Sequence, residues 1–245
     1  MTYLRQIELH LDGGTYSERE RKSFLLTARC CCNYLERELR RLRLKSKYSR
    51  LIIMCTREPK DAAATPLKHE PYLEAIVPFD AKPVQRLSEK AIHQQAARAV
   101  LAGVRAAGRF TPMPLRECQT VLKRFEAGGF VNRWVAREQV WSRKKCRCEV
   151  AAEMTLDRLT LMQRVYVDNE LVAEKRLAET KPREGLYEHF LGEFALDAKG
   201  RIQYRAGNKI LTVFDPDARA FVQPASLGKT GAARVAKRST PRAKR

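Results

Sequence analysis

Near the start of the chain Ile7, Leu9 and Leu11 alternate with Gln6, Glu8 and His10. A period of two puts the apolar set on one side of a strand, so Tyr3–Leu11 is predicted as the first strand, ended by Asp12-Gly13-Gly14. The period then lengthens. Ser17 followed by Glu20 makes the S-x-x-E capping box that opens a helix. Phe24, Ala28, Cys31, Cys32, Leu35, Leu39 and Leu42 follow as one helical stripe. The cysteines in that stripe need no chemistry, since a free Cys packs as a small hydrophobe. Arg50–Thr56 (RLIIMCT) is a short apolar run suited to a central strand. Residues 58–71, with prolines at 59, 66 and 71, predict a loop, and Tyr72–Phe79 the next strand. Lys82–Ala107 predicts a second long helix with Val84, Leu87, Ala91, Val100, Leu101 and Val104 toward its buried side. The first half, residues 1–110, is thus a β-α-β-β-α arrangement in two layers.

After a connection at 108–114, Leu115–Ala127 predicts a shorter helix with Leu115, Cys118, Leu122 and Phe125 in register, stopped by Gly128-Gly129. Beyond it the period returns to two. Segments near 131–143, 146–155, 158–168 and 170–178 predict an antiparallel meander, with Asp168-Asn169 as a tight turn. Residues 184–192 predict a short helix or helical turn, and strands near 201–205 and 209–214 meet across Gly207-Asn208. From Pro224 the apolar residues thin out, which predicts a disordered basic tail over 224–245. The class is α+β, with residues 111–223 either a second unit or continuous with the first.

Charge adds what the pattern does not show. The 245 residues carry a formal net charge of +20. Residues 36–50 hold seven basic side chains against two acidic, 116–147 nine against three, and 226–245 seven against none. Clustering of this kind is the electrostatic footprint of a polyanion partner. At 100° per residue, Arg37, Arg40 and Arg41 stand opposite the apolar stripe while Arg43 and Lys47 flank it, so the basic groups, Lys45 included, are expected to face solvent. An unbroken strand over 134–147 would put Arg137, Trp141, Arg143, Lys145 and Arg147 on one face and Val140, Cys146 and Cys148 on the other; a turn at Lys144-Lys145 would reset that parity. An indole among cations can stack on a base. It can equally pack beneath the second half, the commoner fate of a tryptophan.

The cysteines number seven, an odd count, and most lie in apolar stretches. Met1–Leu11 has no apolar core of a signal peptide, and Arg98 and Arg105 interrupt the most apolar helical stretch. Reduced thiols, a cytoplasmic location and no membrane span are therefore expected.

No motif names a reaction. Gly228-Lys229-Thr230 resembles the end of a phosphate loop, but Gln223 stands where that loop requires glycine. Glu179-Thr180-Lys181, with Asp157 or Asp168 upstream, matches part of a metal-dependent nuclease pattern, yet Glu58-Pro59-Lys60 repeats the string in a predicted loop. His189 with Glu184, Glu188 and Glu193 stands at the spacing of a small acid/base or metal cluster, but ordinary surface charge pairing is the preferred reading, and Cys146-Arg147-Cys148 lacks the second pair a structural zinc needs. His10, His69 and His93 have no evident partners. The leading expectation is a non-enzymatic protein that binds RNA or DNA mainly through phosphates, using Arg37, Arg40, Arg41, Arg43, Lys45, Lys47, Arg137, Arg143, Lys144, Lys145 and Arg147, with Trp141 as a stacking residue and no cofactor or metal. The alternative is a factor that neutralises an acidic protein partner, in the manner of an immunity or antitoxin protein. It draws on the near-balanced charge of 148–225. A metal-dependent nuclease is the third reading.

Overall fold

The computed structural model describes residues 2–41, 43, 45–57, 63–67, 71–79 and 87–223. The capping box forms as expected: the Ser17 N–H donates to Glu20 Oε2 at 2.8 Å and Ser17 Oγ accepts the Glu20 N–H at 3.3 Å. It opens helix α1, Glu18–Arg40, which follows strands β1 (Thr2–Tyr3) and β2 (Gln6–Leu11). Next come β3 (Lys45–Ser46), β4 (Arg50–Thr56), β5 (Ala63–Pro66), β6 (Tyr72–Pro78), α2 (Glu89–Ala107) and α3 (Leu115–Ala127). Strands β2, β4 and β6 are parallel neighbours, and β5 lies antiparallel on the β6 edge. Their alternation buries Ile7, Leu9, Leu11, Leu51, Ile53, Cys55, Leu73, Ala75 and Val77 beneath α1 and α2, and α3 packs on both helices. Gly103 lets α2 approach the sheet closely, because a Cβ there would lie 2.6 Å from Ile53.

The other edge of this sheet is β2, and α1 closes it chemically. Glu36 Oε1 accepts the Ile7 N–H at 2.6 Å, Arg29 Nη1 donates to the Ile7 carbonyl at 3.1 Å, and the two side chains pair at 2.7 Å. At Ile7 the edge backbone is thereby withheld from other chains.

Three expectations are corrected in this half. The first strand breaks at Leu4-Arg5, and Thr2–Tyr3 pairs instead with Lys45–Ser46 across α1. Residues 63–66 form an edge strand, where a proline costs no sheet hydrogen bond, although prolines and the lack of alternation suggested a loop. Helix α2 starts only at Glu89, where the Ser88 hydroxyl accepts the Ala91 N–H. Leu42, Glu58–Lys60, His69 and Val84 lie outside the described residues, as does the tail from 224.

The second half holds two antiparallel meanders. The first is β7 (Asn132–Trp141), β8 (Cys146–Met154), β9 (Leu159–Val167) and β10 (Glu170–Thr180). Asp168 and Asn169 take φ of 52° and 68°, the tight turn expected between β9 and β10. A short helix α4 (Glu184–Tyr187) and a 3-10 turn at Glu188–Phe190 lead into β11 (Glu193–Leu196), β12 (Ile202–Ala206), β13 (Lys209–Asp215) and β14 (Ala220–Val222). One face of the first meander serves two neighbours. Val150, Ala152, Met154, Leu159 and Leu161 join the core beneath the helices, whereas Cys146, Cys148 and Val165 pack on Ile202 and Phe214 of the second meander. Between these zones buried Gln163 meets the Thr212 hydroxyl. The main core runs without a break from Ile7 to Tyr204, and the fold is α+β.

All seven cysteines are buried and free. Burial raises the thiol pKa of Cys31 and Cys55 and pushes Cys118 up to about 12, so these side chains pack as neutral groups. Among the described residues no helix is long and apolar enough to cross a membrane.

Candidate nucleic-acid interface

The basic stretch at the end of α1 loses its two glutamates to other duties. Glu36 turns inward to Arg29 and β2, with 1% of its side chain exposed. Glu38 is held by Arg124 at 3.1 Å and Arg41 at 3.6 Å. What remains outward is almost wholly basic. Arg40, Arg41, Arg43, Lys45 and Lys47 are all exposed. Arg43 has a φ of 45°, a left-handed residue that reverses the chain just past the helix. In the strand that follows, Ser46 points inward to the Thr111 hydroxyl at 3.0 Å, so Lys45 and Lys47 point away from the core.

Arg37 is the exception. It turns inward, donating from Nη2 to Asn132 Oδ1 at 2.7 Å and to the Arg133 carbonyl at 3.2 Å, with its guanidinium 4.4 Å over the Trp134 ring. Burial lowers its pKa. The wheel that placed it opposite the core stripe considered only the sheet beneath α1; β7 packs on the helix flank as well.

The N-terminal strand completes the surface. Tyr3 pairs with Lys45 in register, so the two side chains are cross-strand neighbours. The Tyr3 ring, 42% exposed, lines a groove of about 530 Å³ with Leu4, Arg5, Leu39, Arg40 and Arg43. Arg5, Arg40, Arg43, Lys45 and Lys47 make no ion pair among the described residues. Past Arg5 and Arg40 a second groove follows β2, but Glu8 and Glu188 line it and end the uniformly positive field. Tyr3 and Arg5 were not among the expected site residues. Their partner strand lies about forty residues on, and no local pattern reports that pairing.

The second basic stretch behaves differently. A 3-10 turn at Ser142–Lys144 and a left-handed Lys145, φ 48°, separate β7 from β8 and reset the parity. Trp141 pairs in register with Cys146 and faces the second meander, its ring 6.3 Å from Phe194. It is thus a core contact rather than part of a cationic face. Arg147 lies on the opposite face, held by Glu149 at 2.6 Å and Glu138 at 3.3 Å and stacked 3.7 Å over Tyr166. Lys144 donates to the Gly200 carbonyl at 2.9 Å, and Lys145 pairs with Asp168 at 3.5 Å. Arg137, Arg143 and Lys144 of this group are exposed without an ion pair among the described residues, and Lys144 is held by the Gly200 carbonyl. Asn132 touches Arg37 while the turn lies at the far end of β7, about 30 Å away at the rise of a strand, so the two basic stretches do not merge.

Glu179 pairs with Arg176 at 3.1 Å. Asp157 accepts from Thr155, and Asp168 sits at the opposite end of the β9–β10 hairpin from Glu179. Among the described residues no three His, Cys, Asp or Glu side chains gather where they could hold a metal ion; the Glu184 side chain of the group near His189 lies outside them. Comparison with protein-family models, curated proteins and solved structures returned no match.

Proposed function

We propose that the protein binds nucleic acid, chiefly by phosphate contacts, at the surface formed by Arg5, Arg40, Arg43, Lys45 and Lys47. One observation carries this reading: three outward cations, Arg5, Arg40 and Arg43, line a single groove, Lys45 and Lys47 are exposed beside Tyr3 and Ser46, and none of the five is paired with a carboxylate among the described residues. Guanidinium and ammonium groups left in this state release counterions when phosphates replace their solvent shell. The seven buried thiols support a reducing, cytoplasmic setting.

The test is binding of labelled RNA and DNA across a salt series. For about five neutralised phosphates, a fourfold rise in salt weakens binding by on the order of 100- to 500-fold. Reversing Arg40 and Arg43 to Glu weakens binding to all sequences alike. Absent or salt-insensitive binding of both polymers overturns the reading. An acidic protein would meet the same cations. Recovery of one acidic protein that stays bound after nuclease treatment, with no nucleic acid in the purified material, would put that partner in its place.

A further inference from the structure

From the recessed tyrosine we infer that this surface is built for single-stranded nucleic acid, with one base stacked on Tyr3 and the adjoining phosphates held by Arg5, Arg40 and Arg43. The inference rests on the nucleic-acid reading of the same groove and adds the form of the polymer and a residue that reads it.

Three features point there. The site is concave, about 530 Å³, with its aromatic ring set among guanidinium groups. A duplex offers a convex ladder of phosphates and keeps its base faces stacked, so it has little to place on Tyr3 except at its ends. A single strand can turn a base into the groove and keep its phosphates at the rim. Tyr3 is also 42% exposed, although it sits in a strand paired to Lys45. That exposure leaves the ring open to a stacked base. Finally, Lys45 stands directly across from Tyr3, so a stacked base brings its own phosphate toward a cation already in place.

The experiment measures binding of the full chain to oligonucleotides of about 12 residues, single-stranded and duplex, at several salt concentrations. Variants are Tyr3→Ala, Tyr3→Phe and the double reversal Arg40→Glu/Arg43→Glu. The wild-type chain is expected to prefer the single strand. Tyr3→Ala should weaken single-strand binding roughly 10-fold, leave the salt slope unchanged and leave duplex binding unchanged, while Tyr3→Phe stays near wild type because the ring is retained. The double reversal should weaken both forms and flatten the salt slope. Tyr3 lies in a two-residue strand at the surface, so its truncation leaves the core intact. Equal or tighter binding of the duplex overturns the inference, and so does a Tyr3→Ala variant that binds like wild type. In either case, a double reversal that still weakens binding leaves the phosphate reading standing. If the wild-type chain binds neither form, both fall together.

Discussion

The segments 37–47 and 137–147 look alike as sequence, each a run of arginines and lysines relieved by a few apolar residues. Folded, they part company. The first sends Glu36 inward and leaves Arg40, Arg43, Lys45 and Lys47 facing solvent beside Arg5. Around the second, the sheet supplies acceptors: Glu138 and Glu149 for Arg147, Asp168 for Lys145, and the Gly200 carbonyl for Lys144. What matters for a polyanion is the charge left over after folding. That remainder depends on where the carboxylates go as much as on where the cations are.

The contrast breaks most severely at Glu36. In Glu36→Ala the half-buried Arg29 loses a carboxylate partner and the Ile7 N–H its acceptor, which should cost about 3–5 kcal/mol in a denaturant titration. A loss below about 1 kcal/mol would show that α1 does not depend on this inward turn.

His93 supplies a control that belongs to neither segment. It is buried in α2, stacked on Phe130 at 4.6 Å and edge-on to Phe125, with Glu89 at 4.0 Å and no hydrogen-bond partner on either ring nitrogen among the described residues. Burial holds its pKa at about 4, against 6.5 for a free histidine. Above that ordinary value the ring is neutral in both states and its contribution is intact. As pH falls from 6.5 toward 4 only the unfolded chain takes the proton, and up to about 3 kcal/mol is lost. His93→Leu should therefore show a shallower fall of melting temperature over that range than wild type, and parallel curves would contradict it. Binding compared near neutral pH is free of this effect.

Smaller effects sharpen the comparison itself. Arg147→Ala should lower stability by about 1–2 kcal/mol, because buried Glu149 keeps Tyr166 and Arg164 but loses its nearest donor. Its nucleic-acid affinity should not change. Arg143→Glu, an exposed charge outside the groove, should alter affinity by less than about threefold once salt is fixed. A loss as large as that of an Arg40 reversal would make the two segments partners after all.

Much of the architecture could be read from periodicity. Helix α3 spans its expected residues, Leu115–Ala127, and the four strands of the first meander fall within a few residues of theirs; in α3, β8 and β9 one face is buried and the other wet. The groove proposed to bind was legible only in part. Arg40, Arg43, Lys45 and Lys47 were expected outside and are found there. Arg37 was misplaced because a helical wheel sees one neighbour, and α1 has a second in β7. Trp141 and Arg147 fall on opposite faces because a three-residue 3-10 turn resets a pleat. Tyr3 and Arg5 gave no local sign at all, since their position depends on a strand pairing across the whole of α1.

The most direct measurement is the slope of log affinity against log salt for wild type, Arg40→Glu/Arg43→Glu and Arg143→Glu on the same oligonucleotide. The account predicts a steep wild-type slope, a drop of roughly 1.4 to 1.8 in its magnitude for the double variant, and a slope close to wild type for Arg143→Glu. A double variant that keeps the wild-type slope, or an Arg143→Glu variant that loses as much, would contradict it.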